Sequence, residues 1–356
     1  MGVPGPPPPG CGNDFADFAH SLAQNLSASH ASADWRMVTV DLRNHGRSTN
    51  IEGLLPPHDV ENTARDIANL AKYLDIWPDV VVGHSLGGKV VLQYALSSAQ
   101  GDYGDSTQLP KQVWVLDCGP GAYEGGYGTE EALYSLKTLP TPIPSKEWLA
   151  DYIINLGFPK SKADWICSSL KKSGEQWLLS FNVDGVVQMY TSAGGSDYWQ
   201  LVEHPPKDME IAVVRTENWD PDAAERLESL AKRERDESTG KVSVDVISNS
   251  GHWIYRDQPE KLMEIMTPRL HSLGGKVFLQ YAFRCAQGDN DDFAQWSKQV
   301  NALLQYAFRD ADYSALLEQP PKDTEIAIVR TESWASDAVE RLKSLLRGKV
   351  MNPEAI

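Results

Sequence analysis

The chain has 356 residues, of which 41% are hydrophobic and 23% charged, enough apolar side chains for one large core or two modest ones. Asp and Glu number 49 against 33 Lys and Arg, and the resulting formal charge of −16 repels phosphate backbones and anionic membrane surfaces, which excludes nucleic acid as a partner. No apolar run approaches the roughly 18 residues that span a bilayer, so no membrane span is expected.

Residues 1–12 form a Pro/Gly-rich start, expected to be disordered. They lack the positive n-region and apolar stretch of a signal peptide, and the arginines of a transit peptide. The opening Met-Gly suits N-myristoylation, but Pro6 stands where Ser or Thr is required. The expectation is a soluble, intracellular, cytoplasmic protein, with its oligomeric state left open. Cys11, Cys118, Cys167 and Cys285 are widely spaced and form no Cys/His cluster, which fits a reducing compartment and no metal site.

In chain order, residues 15–26 read as a short helix, and Trp35–Arg43 as a buried strand ending in the polar turn Asn44-His45-Gly46-Arg47-Ser48. Residues 58–74 place Val60, Ala64, Ile67, Leu70, Ala71 and Leu74 on one helical face. Asp79–Gly83 is a short apolar strand, 86–99 a helix, and Gln112–Leu116 another buried strand. Residues 121–205, rich in Tyr, Trp, Leu and Pro, predict several helices and no clear strand, a composition suited to a lid. The alternation resumes with Glu210–Val214, a helix over 221–232, and Lys241–Ile247. Short apolar strands alternating with amphipathic helices predict an α/β fold with a mostly parallel sheet covered on both faces.

The C-terminal part repeats earlier sequence. Ser272–Ala282 copies Ser85–Ala95, and Gln319–Glu332 copies His204–Glu217 at a different offset, so the tail is a partial duplication and not a regular solenoid.

The chemistry centres on Gly83-His84-Ser85-Leu86-Gly87, a G-x-S-x-G run between a predicted strand and a predicted helix. That context suits a nucleophile elbow, in which a strained turn lifts the serine hydroxyl above the sheet. The amide of Leu86, at the helix N-terminus, would donate to an oxyanion. The plainer reading is a glycine-rich turn with a solvated serine. A serine nucleophile needs a base. His252, in the loop Ser248–Trp253 after a late strand, is placed to reach the C-terminal edge of the sheet; packing against Trp253 is its structural alternative. His45 reads as structural, and His84 as the variable position of the elbow. The Gly-Gly-Lys run lacks the spacing of a phosphate-binding loop.

Together, Asp41–Ser48, Gly83–Lys89 and Gly251-His252-Trp253 resemble the α/β-hydrolase superfamily over about residues 10–268, and especially a small esterase branch that includes bacterial YbfF and the eukaryotic abhydrolase domain-containing protein eleven. The likeness is to a plant member, truncated at the N-terminus. The resemblance implies a serine hydrolase of carboxylic esters or thioesters, small or acyl-chain, that needs no cofactor. Its branch is often mitochondrial or plastid. Three acids compete as third member: Asp117 after the strand before the lid, as that branch has it; Asp220 after the strand following the lid; and Asp184 on the lid side. Asp117 is favoured because it ends an apolar strand beside the elbow, whereas Asp220 precedes Pro221 as a helix N-cap would.

The expected organisation is therefore 1–12 as an irregular start, 13–268 as an α/β-hydrolase domain with its lid at about 121–205, and 269–356 as a degenerate repeat in which Ser272 is inert. Family members usually begin with two or three further strands and a His-Gly oxyanion loop, so the sheet is expected to be incomplete at the N-terminus; one of those strands lies between the strands ending at Asp41 and Gly83. Matching that loop to this chain puts Pro6–Pro9, which lack N–H groups, where the second oxyanion donor belongs. The missing strand would leave a gap in the sheet. Either its neighbours pair directly, or Glu325–Val329 from the tail compensates. The lid aromatics Trp148, Tyr152, Trp165, Trp177 and Tyr190 either shape an apolar acyl pocket or simply pack the lid. A hydrolase-like binding module with impaired catalysis is the rival function. Dehalogenases and epoxide hydrolases of this fold use aspartate at the elbow, so Ser85 argues against them.

Overall fold

The computed structural model describes residues 14–29, 36–51, 54–104, 107–122, 129–234, 238–271, 273 and 276–281. The core begins with α1 (Asp14–Ser29), β1 (Arg36–Asp41), α2 (Val60–Leu74), β2 (Val80–His84), α3 (Leu86–Gln100) and β3 (Gln112–Leu116). The segment expected as a lid follows with α4 (Thr129–Ser135), α5 (Lys146–Asn155), α6 (Lys160–Ser168), β4 (Leu170–Ser173), β5 (Gln176–Leu179), α7 (Val183–Gly195) and α8 (Trp199–Glu203). The core resumes with β6 (Glu210–Thr216), α9 (Pro221–Ala231), β7 (Lys241–Ile247), α10 (Ile254–Asp257), α11 (Pro259–His271) and β8 (Lys276–Tyr281).

Six of these strands form one parallel sheet in the order β1-β8-β2-β3-β6-β7. Strands β2, β3 and β6 are buried along their whole length, which is why they read as unbroken apolar runs. One face of the sheet carries α2, α3, α9 and the segment between β3 and β6, with Val81, Val113, Val115 and Val213 in one cluster with Ile67, Val90, Tyr94 and Leu227. The other face carries α1 and α11. There Phe15, Phe18, Leu22 and Leu26 meet Leu262, Met266 and Leu270 over Val82, Trp114 and Val214. Helix α2 starts where the Asp59 carboxylate accepts from the Asn62 amide and stops at Asp75, which takes the left-handed conformation at φ 51°.

The segment between β3 and β6 differs from expectation in one respect. It contains the antiparallel hairpin β4–β5, turned at Gly174 with φ +61°, where the sequence predicts no strand. Each strand has four residues and much of the pair is solvated, so neither an apolar run nor a clean alternation marks it.

The larger correction lies at the centre of the sheet. Strands β1 and β2 do not pair with each other. Between them lies β8, in parallel register with β1 from Arg36↔Lys276 to Asp41↔Tyr281 and with β2 from Val80↔Val277 to Gly83↔Gln280. The repeat thus supplies the strand whose absence would have left backbone donors and acceptors unpaired. The sheet consequently extends beyond residue 268, the expected limit of the domain. Glu325–Val329, Ser272 and Pro6–Pro9 lie outside the described residues.

Candidate active site

Strand β2 turns into α3 through Ser85, whose φ of 53° and ψ of −119° are strained for a residue with a side chain. The Ser85 amide donates to the Leu116 carbonyl at 3.0 Å, and the Gly88 amide donates to the Ser85 carbonyl at 2.8 Å, which pins the turn to β3 and to the first helical turn. Glycine is required at 83, because a Cβ there would lie 2.0 Å from the Gly87 carbonyl oxygen. Leu86 opens α3, so its amide is among those with no acceptor inside the helix.

Asp117 directly follows β3, one strand over, in a left-handed conformation at φ 46°. Its Oδ1 accepts from the Thr216 amide and hydroxyl, each at 3.0 Å, and from the Trp219 indole at 2.6 Å. Its Oδ2 faces His252 Nδ1 at 2.8 Å. Burial pushes the carboxyl up, but the His252 bond and charge, the Thr216 amide and the Trp219 indole outweigh it and hold Asp117 below the usual carboxylate range. An ionised carboxylate only accepts, so His252 carries its proton on Nδ1 and leaves the Nε2 lone pair available.

His252 sits in the loop after β7. That loop is anchored by the Gly251 amide donating to Asp257 Oδ2 and by Gln258 Nε2 donating to the Asn249 carbonyl, each at 2.9 Å. The His252 side chain is 44% exposed and that of Asp117 only 7%, so the pair presents its histidine outward.

The sequence-predicted residues thus divide clearly. Ser85 occupies the strained strand–helix turn, and Asp117 and His252 are hydrogen-bonded to one another. Asp220 is not at that pair; its carboxylate caps α9 by accepting from the Ala223 amide at 2.9 Å, with Pro221 next. Asp184 lies in the first turn of α7 and pairs with Lys137 at 2.7 Å. His45 accepts a structural place, its Nδ1 donating to the Arg43 carbonyl at 2.8 Å. Of the lid aromatics, Tyr152, Trp165, Trp177 and Tyr190 are half-buried against the core, and Trp148 stacks on Tyr152 at 5.4 Å.

Two residues take contacts that the sequence reading did not assign to them. Lys89 is buried with its ammonium on the Pro120, Gly121 and Ser196 carbonyls at 3.2, 2.6 and 2.9 Å, which ties α3 to the loop after Asp117 and to the end of α7. Its signal was a cation in an otherwise apolar stretch of helix, four residues after the serine. The second is His84, whose ring lies against His252.

With this geometry in view, the alpha/beta hydrolase family matches residues 7–265. The chain belongs to that family. Among curated relatives, the mouse (Mus musculus) sn-1-specific diacylglycerol lipase ABHD11 is 24% identical over 271 residues, covering 72% of this chain and 76% of its own. The zebrafish (Danio rerio) protein of the same name is 22% identical over 260 residues, covering 70% and 72%. Among solved structures, a marine microorganism esterase aligns with a TM-score of 0.47 and 13% identity, covering 67% of this chain and 95% of that one. Family membership accounts for the mostly parallel sheet covered by helices on both faces. Among the described residues, no helix is long and apolar enough to cross a membrane.

Proposed function

We propose that this family member is a serine hydrolase of carboxylic esters or thioesters, with Ser85 as nucleophile, His252 as base and Asp117 as the acid that orients it. The observation that carries the reading is the 2.8 Å contact of His252 Nδ1 with the buried Asp117 carboxylate, next to the strand–helix turn that strains Ser85. His252 Nε2 takes the Ser85 proton as Oγ bonds to the acyl carbon. The Leu86 amide donates to the oxyanion that forms on the former carbonyl oxygen. His252 then returns its proton to the departing alcohol or thiol as the bond to it breaks. Water attacks the acyl-enzyme by the same route and releases the acid and Ser85. The diacylglycerol lipase names of the curated relatives support an acyl ester substrate and the abhydrolase branch. No cofactor enters this scheme.

One observation favours a second reading, a binding module with impaired catalysis. The place beside the elbow that the family gives to the strand carrying its oxyanion loop is held here by β8, from the tail repeat. Losing one oxyanion donor costs about a hundred- to a thousandfold in rate.

Labelling with a fluorophosphonate probe and hydrolysis of p-nitrophenyl butyrate separate the two. Native chain that labels and turns over, with both lost by at least about a thousandfold in Ser85→Ala, supports the hydrolase. A folded native chain that neither labels nor hydrolyses the ester overturns it in favour of the binding module.

A further inference from the structure

The geometry points to His84 as a positioning residue that holds the backbone of His252 in register with the nucleophile, an inference that rests on the proposed Ser85–His252–Asp117 site. His84 is buried, and its Nε2 lies 2.7 Å from the His252 carbonyl oxygen. A carbonyl oxygen only accepts, so Nε2 carries the proton and donates. The two imidazole rings pack with centroids 4.6 Å apart, and the Tyr255 ring meets that of His84 edge-on at 5.1 Å. His84 therefore touches both the base and α10, and its own position is set by β2, in the middle of the sheet.

The location gives this bond its purpose. His84 is the residue immediately before Ser85, so a displacement of the elbow carries His84 with it, and the hydrogen bond transmits that displacement to the His252 main chain. The Asp117 contact acts on the other end of the same residue, fixing the ring through Nδ1. One bond orients the imidazole and the other locates the backbone that bears it. Other described hydrogen bonds of the loop, from Ser248, Asn249 and Gly251, run to Lys261, Glu217, Gln258 and Asp257 and not to the residues around Ser85. The groups facing His84 also suit the role. Burial, and then the neighbouring His252 charge, push its pKa down to about 3, so it stays neutral and does not oppose the imidazolium that forms on His252 when Ser85 loses its proton.

The test compares the full chain with His84→Leu, which removes the donor, and His84→Gln, which places an amide donor at the same reach. The expected result is a kcat for p-nitrophenyl butyrate lowered about tenfold or more in His84→Leu with KM little changed, and largely restored in His84→Gln. A second measurement does not need turnover. The downfield proton resonance of His252 Nδ1–H, bonded to Asp117, should be present in the native chain and in His84→Gln, and shifted or lost in His84→Leu. Circular dichroism confirms that each variant is folded; if His84→Leu does not fold, His84→Phe, which keeps the ring without a donor, replaces it. An unchanged His252 resonance in the folded donor-less variant overturns the proposal, whatever the activity. So does a His84→Gln variant that falls as far as His84→Leu. Loss of activity in the native chain with the resonance intact and sensitive to His84 would instead overturn the hydrolase reading and leave this positioning role standing. A native chain without the resonance would overturn both.

Discussion

Asp117 and Asp220 have the same side chain and opposite commitments. Asp117 gathers the Thr216 and Trp219 donors on one oxygen and gives the other to His252, whereas Asp220 is committed to the first turn of α9. Replacing Asp117 by Asn keeps the shape but offers His252 an amide in place of a carboxylate. Turnover should fall by about three to four orders of magnitude in a steady-state ester assay, with a native-like thermal midpoint. Asp220→Ala should do the reverse, costing about 1 kcal/mol of stability by thermal unfolding and leaving turnover near native. Two buried histidines set a different response. Burial pushes His45 down to about 4 and His84 to about 3, both below the ordinary value of 6.5 that the unfolded chain regains. On acidification the unfolded chain binds these protons first, so stability is full above about pH 6.5 and falls as pH drops toward the folded values. By pH 4 each contributes a loss on the order of 2–3 kcal/mol. A denaturant series between pH 8 and 4 should show this slope, and His45→Gln, which does not titrate, should remove about half of it and leave the part due to His84.

Among the elements, Lys89–Tyr94 and Lys276–Tyr281 differ at one position, Val91 against Phe278, and yet the first lies in helix α3 and the second is strand β8. Local propensity does not separate them, since Val and Tyr lean to strand and Lys, Leu and Gln to helix. Context decides. The first copy follows the elbow and is buried between β2, β3 and α2, while the second enters a slot in which two strands offer unpaired parallel edges. This is why β8 was not legible in the sequence: its pattern is that of its helical twin, and its strand state comes from partners far away in the chain. The β4–β5 hairpin escaped for the opposite reason, being short and solvated, whereas β2, β3 and β6 were legible because buried parallel strands read as apolar runs, and β7, at the sheet edge, because its valines alternate with polar residues. Val277→Pro tests the element directly. Proline removes a ladder donor from a strand paired on both sides, so the variant should lose about 3 kcal/mol or more and unfold at lower denaturant, with ester turnover lost alongside.

For the molecule as a whole, the candidate site was more legible than the sheet that supports it. Ser85 and His252 stood out because glycine spacing and a late-strand loop are local signals, and Asp117 because it ends an apolar strand. Lys89, Trp219 and Thr216 did not, since each acts through a contact formed only by folding. The placement of β8 also has a consequence for how the chain reaches its native state. Arg36 pairs with Lys276 and Val80 with Val277, so the central ladder joins the beginning of the chain to a segment made long after it. Until that segment arrives, β1 and β2 each expose an open edge, the kind of surface that templates pairing with other chains. Contacts of such sequence separation form slowly, after a large loop has closed. During synthesis the nascent protein therefore holds a split sheet through most of its translation, and its vulnerability to aggregation lies in that interval of waiting and not in the finished fold.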